Sequence, residues 1–162
     1  MFARLLSHSP LLTEISLSAM TSKCLHMIAA SRCAQSMRII RAVVSIDSIE
    51  IIKLLCQTCI NLKEMRLSLR GEHGDEIIQC VVHYCPFIEV VSTSGLNLTD
   101  IGVNTLATIK TLKELKLNPQ CIVSSSAIQR VLQANISLVE VHLLGAYVDD
   151  ALVNSIGNYC GN

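Results

Sequence analysis

The chain has 162 residues, 51% of them hydrophobic, and its thirteen basic and thirteen acidic side chains cancel; its mean hydropathy of +0.48 is high for a soluble domain. No apolar run reaches the ~18–20 residues that span a bilayer, and three Tyr, two Phe and no Trp without a basic excess exclude the footprint of a nucleic-acid binder. Eight cysteines in a chain with this much apolar material read as reduced, buried thiols in a cytoplasmic or nuclear, hence intracellular, protein, because such a core needs no disulfide staples.

In chain order, Phe2, Leu5 and Leu6 read as the end of a helix, and Leu12/Ile15/Leu17 form the first apolar-x-x-apolar-x-apolar triplet. That register argues that the N-terminal stretch is folded and retained, not a cleaved targeting peptide. The second triplet is Met37/Ile40/Ala42; a competing register through Ala34, Met37 and Ile39 would turn the other face of the strand inward. In the third, Leu62/Met65/Leu67, apolar residues alternate with Glu64 and Arg66, the period of a strand with one buried face. A turn over Arg70-Gly71-Glu72-His73-Gly74 follows, then Ile77, Ile78, Val81 and Val82 on one helix face, with Asp75 and Glu76 at the helix start. Ile88/Val91/Thr93, Leu112/Leu115/Leu117 and Leu138/Val141/Leu143 complete the series, and Thr99-Asp100, Ser124-Ser125-Ser126 and Asp149-Asp150 supply cap-type residues before their helices. The chain ends on Asn158-Tyr159-Cys160-Gly161-Asn162, similar to the strand lead-in His83-Tyr84-Cys85-Pro86-Phe87.

The first members of the triplets are 25, 25, 26, 24 and 26 residues apart, a regularity that marks a repeat array. One strand-turn-helix unit cannot bury its own apolar face and must stack on its neighbours. The expected fold is therefore α/β: a curved horseshoe solenoid segment of about six repeats, with a parallel concave sheet and helices on the convex side. Residues 1–162 are expected to form a single array cut from a longer one, 1–11 ending a preceding repeat and 159–162 starting another. Neither end carries a polar capping unit, so a partner or a second copy is expected to make an end-to-end contact there.

The six triplets, Cys59 and Cys85 three places before theirs, and the segments Leu98-Thr99-Asp100-Ile101 and Val148-Asp149-Asp150-Ala151 resemble leucine-rich repeat proteins. The chain is most similar to the cysteine-containing, F-box-associated subclass of the ribonuclease-inhibitor-like superfamily. That resemblance implies a non-enzymatic protein-interaction module, binding a protein partner through its concave face as the substrate-receptor part of a ubiquitin ligase. The alternative it leaves open is a regulator of another enzyme, as inhibitor or GTPase activator. One departure stands out. Three places past each triplet, where the family carries Asn or Cys, come Met20, Ser45, Arg70, Leu96, Gln120 and Ala146; Asn97 and Cys121 fall one place late. No regular side-chain ladder along the turns is expected.

Cys56-Gln57-Thr58-Cys59 followed by Cys80 and Cys85 approaches structural zinc spacing, but repeat phase assigns these thiols to packing, so no metal and no other cofactor is expected. His73 among Glu72, Asp75 and Glu76 has acid-base chemistry without an identifiable nucleophile, and no enzymatic activity is expected. Two glycosylation sequons, at Asn97 and Asn135, matter only in a secretory compartment. Stacking converts exposed strand positions into columns: Ser16, Arg41, Arg66, Ser92, Lys116 and His142 in one, Glu14, Ile39, Glu64, Val90, Glu114 and Glu140 in the next. Arg41, Glu64, Arg66, Glu114, Lys116, Glu140 and His142 are the candidate partner-binding residues, with Ile39, Val43, Val90, Val139 and Leu144 as apolar interruptions expected to be exposed.

Overall fold

A computed structural model of the chain describes residues 2–45, 48–69, 73–92, 94–118, 121–144 and 148–159. Six strands lie parallel in one sheet, in sequence order: β1 (Glu14–Thr21), β2 (Ile39–Ser45), β3 (Glu64–Leu69), β4 (Val90–Ser92), β5 (Glu114–Leu117) and β6 (Glu140–Leu143). Between and around them run α1 (Phe2–His8), α2 (Ser22–Ala29), α3 (Ile49–Thr58), α4 (Gly74–Tyr84), α5 (Asp100–Leu106), α6 (Ser125–Ala134) and α7 (Asp150–Tyr159), each packed on the next. Strands stack ~4.8 Å apart while helices need 8–10 Å, so the helix side takes the longer arc and the sheet the concave one. The fold is an α/β solenoid of the leucine-rich repeat type. No helix among the described residues is long and apolar enough to cross a membrane.

Register follows the triplets. Ile15, Ile40, Met65, Val91, Leu115 and Val141 stand in one row across the sheet. Met37 and Ile40 are fully buried while Ile39 is half-exposed, which excludes the competing register of the second repeat. Thr93 lies outside the described residues. The triplet rule fails at the margins of the sheet: Leu17 is 38% exposed, and Leu12, Val141 and Leu143 are only half-buried. β1 and β6 each have a strand on one side only, so these side chains lack the second flank that buries their counterparts. Beside β1, an apolar cleft of ≈790 Å³ lies among Phe2, Leu5, Leu12, Ile15 and Leu17.

Cap residues do more than start their own helices. Thr99 and Ser124 accept hydrogen bonds from the amides of Ile101 and Ala127, as N-cap chemistry requires. Each is also held by the acid one repeat earlier. Asp75 accepts from the Thr99 amide (2.9 Å) and hydroxyl (2.6 Å), and Asp100 from the Ser124 amide and hydroxyl (both 2.7 Å). The helix-start acids are thus latches between repeats, and these bonds to Ser124 hold the Asp100 carboxyl below its ordinary pKa. Gly102 makes room for the first latch: a Cβ there would lie 2.3 Å from Asp75 Oδ1.

The turns are also bonded, from an unexpected position. Asn118, directly after its triplet, and Cys121 are both buried, and their Nδ2 and Sγ donate to the Leu96 carbonyl one repeat back, at 3.3 and 3.8 Å. Three of the counted positions, Arg70, Gln120 and Ala146, lie outside the described residues, as do Gly71, Glu72 and Cys160.

Candidate protein-interaction surface

The strand positions that point away from the helices form the open face of the sheet. Parallel pairing aligns Glu14, Ile39, Glu64, Val90, Glu114 and Glu140 in one column. Beside it, Ser16, Arg41 and Arg66 are in register, as are Ser92, Lys116 and His142. The structure therefore brings all seven candidate residues to one surface, and what it adds is their pairing. Arg41 on β2 bridges Glu14 on β1 and Glu64 on β3, each at 2.5 Å. Arg66 on β3 contacts Glu64 at 2.6 Å and reaches past β4 to clasp Glu114 on β5 with two nitrogens, at 2.7 and 2.5 Å. The step across β4 is open because Val90 and Ser92 are short. Lys116 approaches Glu114 at 3.2 Å, and His142 pairs with Glu140.

Glu114 is buried, with its side chain 7% exposed. Its hydrogen bonds from Arg66 hold the carboxyl below the ordinary range against the opposing effect of burial, and Glu64 is held low in the same way, burial being outweighed by Arg41 and Arg66. The same contacts push the Arg66 guanidinium up. From β1 to β5, three acids (Glu14, Glu64, Glu114) face three bases (Arg41, Arg66, Lys116), and β6 adds Glu140 beside His142. The columns that look like separate basic and acidic stripes are one locally neutral ladder.

Next to the ladder lies a shallow depression of ≈370 Å³ whose lining includes Ser16, Ser18, Ser68, Ser92 and Ser94, with Arg41 and Arg66 on one bank and Val43 within it. Val43 is 56% exposed. The hydroxyl lining was missed from sequence, although Ser18 and Ser68 directly follow their triplets and would have been found by extending the column count one step. Ile39 and Val90 are half-buried, whereas Val139 and Leu144 are exposed.

Elsewhere, Cys33, Cys56, Cys59 and Cys85 are buried, and Cys80 is half-buried. The neighbouring Cys85, together with burial, raises the Cys56 thiol, and burial pushes Cys59 up to about 12; both are protonated near neutral pH. Among the described residues no three His, Cys, Asp or Glu side chains converge so as to hold a metal ion. His73 Nδ1 lies 2.7 Å from Glu76 Oε2, both well exposed. Asn135 is buried at the end of α6, three places before its triplet, the slot that Cys59 and Cys85 fill; its Nδ2 donates to the Val131 carbonyl and its Oδ1 has no partner.

No family model matches the chain, and neither does any curated protein. Among solved structures, a tropomodulin C-terminal domain from Caenorhabditis elegans is similar at a TM-score of 0.49 and 8% identity, covering 99% of this chain and 89% of that one. The fold assignment rests on the strand and helix order, not on that likeness.

Proposed function

We propose that the chain is a non-enzymatic protein-interaction module that binds a protein partner through the open face of its sheet. The observation that carries this reading is the uncovered face itself. Its serine-lined depression beside Val43 presents hydroxyl donors and acceptors next to an apolar contact, over a ladder whose charges satisfy one another. Such a surface favours a partner with polar, uncharged groups around an apolar anchor, since a strongly charged one would have to break ion pairs that already exist. The finer reading, a substrate-receptor part of a ubiquitin ligase, is supported by the resemblance of the repeats alone. Residues 1–162 are read as one array.

The test is capture of partners on the wild-type chain and on Val43→Lys and Ser18→Lys variants, both positions being exposed. Loss of the same partner with both variants supports the face. Recovery unchanged in both sinks it. Charge reversal at Arg66 is the wrong probe, because it would set a second carboxylate against buried Glu114. Activation or inhibition of a captured enzyme would instead favour the regulator reading.

A further inference from the structure

We infer that the rim of the array where the strands begin carries a second docking surface, for an acidic, extended segment of a partner protein that bears an apolar anchor. Backbone hydrogen bonds stack the lead-in residues into a column: Arg38 N to Thr13 O, Lys63 N to Arg38 O, Glu89 N to Lys63 O, Lys113 N to Glu89 O and Val139 N to Lys113 O, at 2.7–2.9 Å. This column is not neutral. Glu89 bridges Lys63 at 2.8 Å and Lys113 at 2.6 Å, and those two lysines hold its carboxyl low. Three bases thus face one acid, and the exposed Arg38 guanidinium has no ion-pair or hydrogen-bond partner among the described residues. The excess is not a complement to helix ends, since the lysine ammonium groups bind Glu89 and, among the described residues, no helix carbonyl.

The same rim is grooved and apolar. A depression of ≈490 Å³ runs over the turns of the first four repeats, with Arg38, Asn61 and Lys63 along it and Leu11 and Phe87 at its walls. Leu11 is 83% and Phe87 54% exposed, Ile60 is exposed beside Asn61, and Ile136 and Val139 are exposed before β6. The turns are braced by Ser36 Oγ donating to the Pro10 carbonyl (3.3 Å) and Asn61 Nδ2 to the Gln35 carbonyl (2.8 Å), so the groove is preformed and little ordering opposes binding. Three strand steps of ~4.8 Å make a length of roughly 14 Å, enough for about four extended residues. Carboxylates would meet Arg38 and Lys63 while an apolar side chain seats against Phe87 or Leu11. A recess containing polar Gln35 and Asn61 suits a peptide better than a flat anionic bilayer.

The test uses fluorescein-labelled eight-residue peptides of Asp and Glu in which one Leu, Ile or Phe occupies each position in turn, read by anisotropy. At least one binds the wild-type chain; Arg38→Glu and Phe87→Ser, both at exposed positions, each weaken it at least about tenfold, and binding falls as salt rises from about 0.05 to about 0.3 M. Val43→Lys on the open face leaves it unchanged, which separates this site from the one proposed above. Absence of binding by every peptide overturns the inference, as does equal binding of the Asn/Gln counterparts or wild-type affinity in both rim variants. Two further results also overturn it: co-sedimentation with phosphatidylserine vesicles without peptide binding assigns the rim to membranes. Self-association abolished by Arg38→Glu assigns it to a second copy.

Discussion

Arg66 and Glu114 offer the most demanding test of the ladder. Glu114 is nearly buried and Arg66 about one-third exposed, so the pair is intermediate between a surface ion pair, worth ~0–1 kcal/mol, and a buried one, whose breaking by removal of one partner costs ~3–5 kcal/mol. Arg66→Met keeps the aliphatic stem but leaves the Glu114 carboxylate, among the described residues, with Lys116 alone at 3.2 Å. A loss of about 2–3 kcal/mol is expected, and Glu114→Gln, which leaves Arg66 its bond to Glu64, should lose about 1–2 kcal/mol. At about 2–4 °C per kcal/mol for a chain of this size, Arg66→Met should melt roughly 5–10 °C lower. Urea melts of both single variants and the double variant close a cycle with an expected coupling of at least about 1 kcal/mol. Additive losses, within about 0.5 kcal/mol, would refute the clasp. Acid supplies an independent arm. The folded pKa values of Glu64 and Glu114 lie below their unfolded values, so their stabilisation is complete above about pH 4.3 and is lost as pH falls through the folded values. Glu114→Gln should therefore flatten the acid limb of stability against pH.

Four further outcomes are expected. Gly102→Ala drives a Cβ into Asp75 and opens its latch to Thr99, costing about 2–3 kcal/mol in a denaturant melt, whereas Gly157→Ala, where nothing lies within 4 Å, should be neutral or stabilise α7 by up to about 1 kcal/mol. Leu115→Ala, at a fully buried centre of the sheet, should cost about 2–5 kcal/mol, and a change near zero would contradict the register. Asn135→Cys restores the repeat's own residue where Oδ1 is buried without a partner; it should stabilise by about 1 kcal/mol, and a destabilised melt would show that the amide is satisfied. Native-state alkylation followed by mass spectrometry should label Cys24 first among the seven described cysteines, because Thr21 lowers its thiol, and Thr21→Val should slow it. Faster labelling of buried Cys56 or Cys59 would contradict the packing.

Much of the fold was legible because the triplets carry two periods at once. The alternation of Leu62, Met65 and Leu67 with charged residues identifies a strand face, and its recurrence every 24–26 residues identifies the stack. What a period cannot carry is a partner's identity. Asp75 looks like a helix-dipole acid in sequence because its own helix starts there, yet its oxygens go to Thr99 in the next repeat. Asn118 escaped a count of fixed offsets because it bonds from the position directly after its triplet. Leu17 carried the core signature and is part-exposed, since burial of a solenoid residue needs a strand on both sides and β1 has one.

The charged columns show how position and meaning separate. Alternation places Arg41, Arg66 and Lys116 on the open face, in a partly basic column beside the partly acidic one of Glu14, Glu64, Glu114 and Glu140. Once stacked, acids on β1, β3 and β5 interleave with bases on β2, β3 and β5, and each guanidinium is occupied by two carboxylates. A ligand that recruits Arg66 must first uncover Glu114, which the low dielectric around that carboxylate opposes. If this face binds the proposed partner, contact would fall to groups without internal partners, the exposed Val43 above all. Charge remains available where the lead-in column, off the strand alternation, sets three bases against one acid. If both surfaces bind, the neutral face should respond to shape and the rim to salt, so the ionic-strength dependence of a partner's affinity would report which one it uses.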